Sequence, residues 1–276
     1  MSSRFSGKSV IVTGASAGIG AEVARAFAAQ GARLLLVGRR KEPLKAMAAE
    51  LAQDTDVATM AMDVADINAC TDLFKKAQYE FGGVHYLINN AGAHHRGVLT
   101  DVDPDQLAQM IDVNLRAPVV LTRLAIPLIK QSGGGAIVNV ASIAGCSPVP
   151  GSATYGATKF GLRALTLSLA EELRGSSVHV GAVSPGPVDT GFIMSDIDQV
   201  ADLTFSQPMS TAAEVAEGVL SVAAGDATDL KMPKSSGILA TLGYLFPGLS
   251  RALRPRLEKK GRRAKLRYKK RQESAS

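Results

Sequence analysis

Short apolar runs alternate with amphipathic helical segments through most of the chain, and few architectures accept that order. Residues 9–12, 32–37, 57–62, 84–89, 136–140 and 178–183 read as strands with little polar alternation, as strands buried on both faces do. Between them apolar residues recur at helical spacing, as Ile19, Val23 and Phe27 do before Gly31 ends that helix. Further helices are predicted over 43–53 and 67–81, from Asp103-Pro104 toward Asn114, and over 118–129 and 152–174. Parallel strands need crossover connections, so the order predicts an α/β fold with one parallel sheet covered on both faces. No repeat or linker divides the body, and 276 residues suffice for one large domain with a substantial core.

The first strand leads directly into Thr13-Gly14-Ala15-Ser16-Ala17-Gly18-Ile19-Gly20, so a glycine-rich turn joins a strand to a helix N-terminus. Glycines let the backbone approach a pyrophosphate, and the free N–H groups and dipole of the helix start favour its charge. The alternative is an ordinary tight turn of an α/β protein. The spacing Gly-xxx-Gly-x-Gly also departs from the usual Gly-x-Gly-x-x-Gly pattern.

Tyr155 and Lys159 stand four apart on a predicted helix, which places phenol and ammonium on one face. The cation is expected to favour the phenolate and lower the tyrosine pKa from about 10, as a general acid/base near neutral pH requires. Other polar residues fall where strands end: Asp63, Asn89-Asn90-Ala91-Gly92, Ser142 and Ser184-Pro185-Gly186. In open α/β sheets ligands bind outside the carboxyl ends of the strands.

With the turn from Thr13 to Gly20, Asn89-Asn90-Ala91-Gly92, Asn114, Ser142, Tyr155-xxx-Lys159 and Pro185-Gly186 in this order, residues 5–225 resemble the classical short-chain dehydrogenase/reductase family. The resemblance implies a Rossmann-type, doubly wound parallel sheet and hydride transfer between a nicotinamide cofactor and a carbonyl or alcohol carbon. It assigns Tyr155 as the acid/base and Ser142 as the hydroxyl that holds the substrate oxygen. Lys159 is implied to bind the nicotinamide ribose and depress the tyrosine pKa, and Asn114 to hold a water in the proton relay. Cofactor contacts are implied for Gly14, Ser16, Gly18, Ile19 and Gly20 in the turn, and for Asn90, Ala91, Gly92, Tyr155 and Lys159. The adenine is expected near Asp63 and Val64, and the nicotinamide near Pro185, Gly186, Val188 and Thr190. Two alternatives to this oxidoreductase remain open, an NAD-linked alcohol dehydrogenase and a non-catalytic NADP(H)-binding sensor or scaffold.

At the end of the second strand stand Gly38 and Arg39 rather than an acidic residue. A carboxylate there would bind the adenosine 2′-OH and repel a 2′-phosphate, whereas arginine favours the phosphate, so NADP(H) is expected over NAD(H). Ala17 stands where many NADP-using relatives carry a second basic residue, which points to incomplete selectivity. Around the substrate, Ala93, His94, His95, Ile143, Pro148, Val149, Phe192 and Met194 form a mostly apolar set, suited to a hydrophobic ketone, aldehyde or secondary alcohol. His94 reads either as a polar substrate contact or as an exposed or core-satisfied histidine. Residues 186–208 lack periodicity and are expected to form a mobile loop over the site.

Only Cys70 and Cys146 occur, in no metal-ligand spacing, so neither a metal site nor a disulfide framework is expected. Cys146, four residues after Ser142, reads as a reactive thiol or as a small wall-lining one. The N-terminus has no apolar h-region and no run approaches a membrane span, which leads to the expectation of a cytoplasmic protein.

Residues 1–232 are expected to form the dinucleotide-binding and catalytic domain, and 233–276 a C-terminal extension. In that extension an apolar stretch, 238–249, runs into a basic one. Residues 251–276 hold 12 of the 31 basic residues against only Glu258 and Glu273, so the high isoelectric point belongs to the tail. An apolar segment beside a polybasic one fits peripheral contact with a membrane surface. Packing on the domain or a partner subunit, or a disordered solvated tail, are the alternatives. Nucleic acid is disfavoured because the tail has few aromatics besides Tyr268. Family resemblance adds the expectation of a homo-oligomer, a dimer or tetramer.

Overall fold

Seven strands form a single parallel sheet in the order β3-β2-β1-β4-β5-β6-β7. They are β1 (Ser9–Thr13), β2 (Arg33–Gly38), β3 (Val57–Ala61), β4 (Tyr86–Asn89), β5 (Gly135–Val140), β6 (Val178–Pro185) and β7 (Asp229–Met232). The structure, a computed structural model, describes residues 4–195 and 197–273, with 271–273 as backbone only.

Successive side chains of a strand point to opposite faces, and β1 uses both. Val10 and Val12 face the core layer under α1 (Gly18–Ala28), α2 (Lys41–Leu51) and α8 (Ala212–Ala223), together with Phe27, Leu44 and Val219. Ile11 faces the other layer, under α3 (Ile67–Phe81) and α5 (Ala117–Gln131), with Leu73, Phe74, Leu121 and Ile129. Apolar burial on both faces explains why these strands carry almost no polar residues. The sheet is therefore the doubly wound Rossmann-like arrangement that the βα alternation implies. Its order reverses between β1 and β4, whose carboxyl ends open the crevice where ligands bind in such folds.

The predicted elements form with three main differences. α4 (Pro104–Ile111) and α5 are continuous, joined through a π turn over Asp112–Arg116 that carries Asn114. The edge strand β7 escaped the sequence reading because only Leu230 and Met232 are apolar in it. A third difference lies in the 186–208 segment. It holds a short helix, α7 (Gly191–Met194), and a 3-10 turn, Asp202–Ser206, fastened from outside by the chain's C-terminus.

That C-terminal segment is helical up to Glu273. After α6 (Ala153–Glu172), β6 and β7, the chain forms α9 (Lys234–Leu245) and then α10 (Pro247–Glu273). The tail is thus not the unstructured solvated appendage that its charge allowed. α9 rests on the domain through Ala240, buried with Ile143 and Cys146, and through Tyr244, 5.6 Å from Phe160 between ring centroids. α10 crosses the Asp202–Ser206 turn so closely that a Cβ on Gly261 would stand 1.8 Å from the Asp202 carbonyl. Ala264 and Tyr268 complete an apolar cluster with Ile193, Ile197, Val200 and Phe205. Lys265 Nζ donates to the carbonyls of Asp198 (3.0 Å) and Val200 (2.6 Å), Arg262 pairs with Asp202 (3.0 Å), and Lys269 pairs with Asp198.

Candidate active site

The carboxyl ends of β1 and β4 are tied together by Thr13. Its Oγ1 accepts from the amides of Asn90 (2.9 Å) and Ala91 (3.0 Å) and donates to the carbonyl of Ile88 (3.1 Å). Asn90 Nδ2 returns a bond to the Thr13 carbonyl (2.9 Å) and approaches the Gly14 carbonyl at 3.3 Å. The turn packed against this amide has no room for a Cβ at Gly14 or Gly20. A Cβ on Gly20 would lie 2.2 Å from the Gly14 oxygen and 2.5 Å from Asn90 Nδ2. Gly14 and Gly18 hold φ of +66° and +55°, a region that disfavours any residue with a Cβ.

α1 begins here without a side-chain cap on Ala17 and without an acidic residue in its first turn. Its leading N–H groups are therefore available to an anion. Thr190, from the loop after β6, reaches over the turn, within 3.5 Å of the position a Gly18 Cβ would occupy. Val188 pairs with Ser210 in a parallel bridge, and Gly186 N donates to the Met232 carbonyl (2.7 Å), so β7 and the segment ahead of α8 hold the Pro185–Thr190 stretch. Ser16 Oγ lies 3.6 Å from where a Gly38 Cβ would be, and Arg39 follows, exposed, with no hydrogen bond or ion pair among the described residues. Asp63 caps its own turn by accepting from the amide of Ala65 (2.9 Å), with Val64 buried beside it.

The second cluster stands at the ends of β4 and β5 and on α6. Asn114, fully buried, makes a two-point pair with the main chain of Ala93. Its Oδ1 accepts from the amide and its Nδ2 donates to the carbonyl, both at 2.8 Å. Nδ2 also lies 3.2 Å from Thr158 Oγ1, which itself donates to the Tyr155 carbonyl (2.7 Å). Gly92 fits between them: a Cβ there would be 3.4 Å from Asn114 Oδ1 and 3.9 Å from Lys159 Nζ. Ser142 Oγ accepts from the Ala144 amide (3.1 Å), which fixes the hydroxyl at the start of the Ile143–Gly145 turn, facing Tyr155. Under the site, Asn89 Nδ2 donates to Asn139 Oδ1 (2.8 Å) and Asn139 Nδ2 to Thr166 Oγ1 (2.8 Å), joining β4, β5 and α6 by buried polar bonds.

One electrostatic expectation is corrected. Tyr155 is not drawn below its ordinary pKa in this state: burial pushes it up, and a Ser142 hydrogen bond and the Arg96 charge only partly oppose that. Lys159 contributes little because its ammonium donates to the Val140 carbonyl (2.9 Å) and stands 5.8 Å from the phenol ring centre. Burial lowers the lysine itself to about 8.

His94 is neither exposed nor in the core. Its imidazole stacks on Tyr155, centroids 4.0 Å apart at 15°, with Nε2 3.2 Å from Ser152 Oγ. Phe192 closes the other side, 6.1 Å from His94 and 6.4 Å from Tyr155, held by Arg96, which bonds its carbonyl (2.8 Å) and lies over its ring. Burial, assisted by Arg96, His95 and Lys159, holds the His94 pKa down to about 3. His95 turns aside to Gln109 (2.8 Å). Of the other expected pocket residues, Ile143 packs with Cys146 and Ala240, and Met194 packs against the cluster under α10. Pro148 is exposed and Val149 partly so. Cys146 is buried and its thiol pushed up by that burial, which leaves it an inert wall residue.

Against known proteins, the sequence pattern described as short chain dehydrogenase matches residues 8–201. The chain belongs to the short-chain dehydrogenase family. An uncharacterized oxidoreductase of Staphylococcus aureus (strain MRSA252) is 37% identical over 183 residues, 66% of this chain and 79% of the relative. One from Staphylococcus epidermidis is 36% identical over the same shares. This short-chain dehydrogenase is therefore an oxidoreductase, and its family binds nicotinamide cofactors.

The residues present fit such a cofactor. A glycine turn without space for a Cβ at Gly14 and Gly20 opens on uncapped helix N–H groups, beside a strand end that carries no acidic group at residues 38–40. Among the described residues no cluster of His, Cys, Asp or Glu could hold a metal, and no helix is long and apolar enough to cross a membrane. Ser152, Thr158 and Arg96 are site-building residues to which the sequence assigned no role, whereas Thr13 belongs to the glycine-rich motif without its part in tying β1 to β4 being read.

Proposed function

We propose that this short-chain dehydrogenase is an NADP(H)-dependent oxidoreductase that interconverts a hydrophobic ketone or aldehyde and its alcohol, with Tyr155 as acid/base. The observation that supports it best is the meeting of Tyr155, Ser142, Lys159 and Asn114 beside the glycine turn, with an aromatic wall of His94 and Phe192 over the phenol. A nicotinamide cofactor, when bound, supplies or accepts the hydride at the carbonyl carbon. The chain's part is to manage the oxygen. As negative charge develops there, Ser142 donates a hydrogen bond and Tyr155 gives its phenolic proton. Desolvation keeps the Tyr155 phenol protonated until it is needed, and Lys159, whose ammonium is held by the Val140 carbonyl, is left to bind the nicotinamide ribose. Asn114 positions the Gly92-Ala93 segment through its two bonds to Ala93.

Arg39, exposed beyond β2 and near the Ser16 side of the turn, suits the 2′-phosphate of NADP(H). The apolar and aromatic surroundings of Tyr155 favour a substrate of low polarity. In this reading residues 1–232 bind and catalyse, residues 233–276 form an extension, and the protein works as a dimer or tetramer in the cytoplasm or at a membrane surface. The test is titration with NADPH and NADH, followed by NADPH consumption against a panel of apolar ketones and aldehydes. Tighter NADPH binding with turnover of some panel members is the expected result, and failure to bind either nucleotide overturns the proposal.

A further inference from the structure

α10 has two faces of different use. Gly261, Ala264, Lys265 and Tyr268 lie at helical spacing against the 193–206 loop. Arg256, Lys259, Lys260, Arg263 and Arg267 follow at i, i+3, i+4, i+7 and i+11, a stripe on the opposite face roughly 17 Å long at 1.5 Å per residue. All five are exposed and together line a shallow surface depression. None of their side chains has an ion pair or hydrogen bond among the described residues, whereas those of Arg254, Arg262, Lys265 and Lys269 do. The same face of α10 begins with Leu249, 54% exposed, next to Leu245 and Phe246 at the end of α9, 62% and 56% exposed. An apolar knuckle therefore leads into an unpaired cationic stripe.

We infer that this surface docks on an anionic lipid bilayer, with Leu245, Phe246 and Leu249 entering the headgroup boundary and the five cations lying on the phosphates. This deepens the membrane part of the proposed function, on which it rests, by naming the lipid charge and the residues that read it. Apolar insertion plus cation attraction is what interfacial helices use. A second copy is disfavoured as the occupant, since residues 251–276 carry an excess of ten positive charges that repel their own image. A nucleic acid would have no use for the knuckle, and Tyr268, the one aromatic of α10, is packed 5.9 Å from Phe205 rather than presented for stacking. Docking on the outer face leaves the inner contacts to the loop intact.

The experiment is co-sedimentation of the full chain with vesicles of phosphatidylcholine alone and with about 30% phosphatidylglycerol, at low and high salt; it needs no substrate or cofactor. Binding to the anionic vesicles only, weakened by salt, is expected. Replacing all five stripe cations by Gln should lower it by roughly two orders of magnitude or more, given the usual contribution of each cation at such a surface. Replacing Leu245, Phe246 and Leu249 by Ser should weaken it while retaining salt sensitivity. Circular dichroism and melting curves of both variants establish that they fold. Lack of binding at low salt, or binding unchanged in the Gln variant, overturns the inference. So does duplex DNA or RNA that strips the protein from vesicles at equal phosphate concentration. Dimerisation lost in the serine variant without change in vesicle binding does so as well. Because nucleotide titration is a separate measurement, vesicle binding can fail while the oxidoreductase reading stands.

Discussion

The His94 imidazole lies flat on the Tyr155 phenol, ring centroids 4.0 Å apart, and Ser152 and Phe192 hold it there. Any substrate that meets the phenolic proton must share this wall. The same packing holds the imidazole pKa down to about 3, far below the ordinary histidine range.

A folded-state pKa depressed from about 6.5 means the unfolded chain binds the proton more readily. Stability tied to His94 is complete above about pH 6.5 and falls as the pH drops toward 3. His94→Phe keeps a stacking ring without the titration. Melting temperatures of the two proteins should diverge on acidification from pH 7 to 4.5, with wild type losing about 1–2 kcal/mol more, discounted for partial exposure. Parallel curves would refute the burial of a neutral imidazole.

Gly20→Ala tests the closeness of the turn. Its Cβ would stand 2.2 Å from the Gly14 carbonyl, and neither backbone can yield cheaply. A loss of about 2–3 kcal/mol by urea denaturation is expected. Nucleotide affinity should fall at least tenfold, and an unperturbed variant would contradict the packing of α1 on Asn90.

For Arg39, the change of interest is Arg39→Asp. NADPH should weaken by about 1.5–3 kcal/mol, the scale of a lost charge-assisted bond, while NADH changes little or improves. Equal changes for both nucleotides would remove the 2′-phosphate role.

Tyr268→Ala in α10 removes the ring set against Phe205 and opens the cluster that holds Ile193 and Val200. The 191–210 segment has no lysine or arginine but offers Phe192, Leu203 and Phe205 to chymotrypsin. Cleavage there should accelerate severalfold at unchanged global stability, and no acceleration would mean that α10 does not brace the loop.

Much of this was legible in the sequence, and the reasons differ by element. The apolar runs around Val10-Ile11-Val12 and Leu34-Leu35-Leu36 announce strands because both sheet faces are buried, and the glycines of the turn announce a close approach. β7 was illegible because an edge strand with Lys231 and Asp229 looks like a polar loop. It is held by Arg163, which forks onto Asp229 from α6. The ordering of α10 was hidden by charge: Lys265 and Lys269 read as solvated until Asp198 and the loop carbonyls appear beside them. The Tyr155 pKa went the other way from expectation because spacing reveals a neighbouring cation but neither the burial that raises the phenol nor the Val140 carbonyl that takes up the ammonium. His94 could not be placed, since a stack between residues 61 apart leaves no periodic trace.

The most direct test of the central claim compares wild type with Tyr155→Phe in NADPH consumption against apolar carbonyls, alongside NADPH binding by titration. The account predicts that the variant binds NADPH within about threefold of wild type and loses turnover by at least 10²–10⁴, the usual contribution of a general acid. Turnover retained at the wild-type rate by the phenylalanine variant would contradict it.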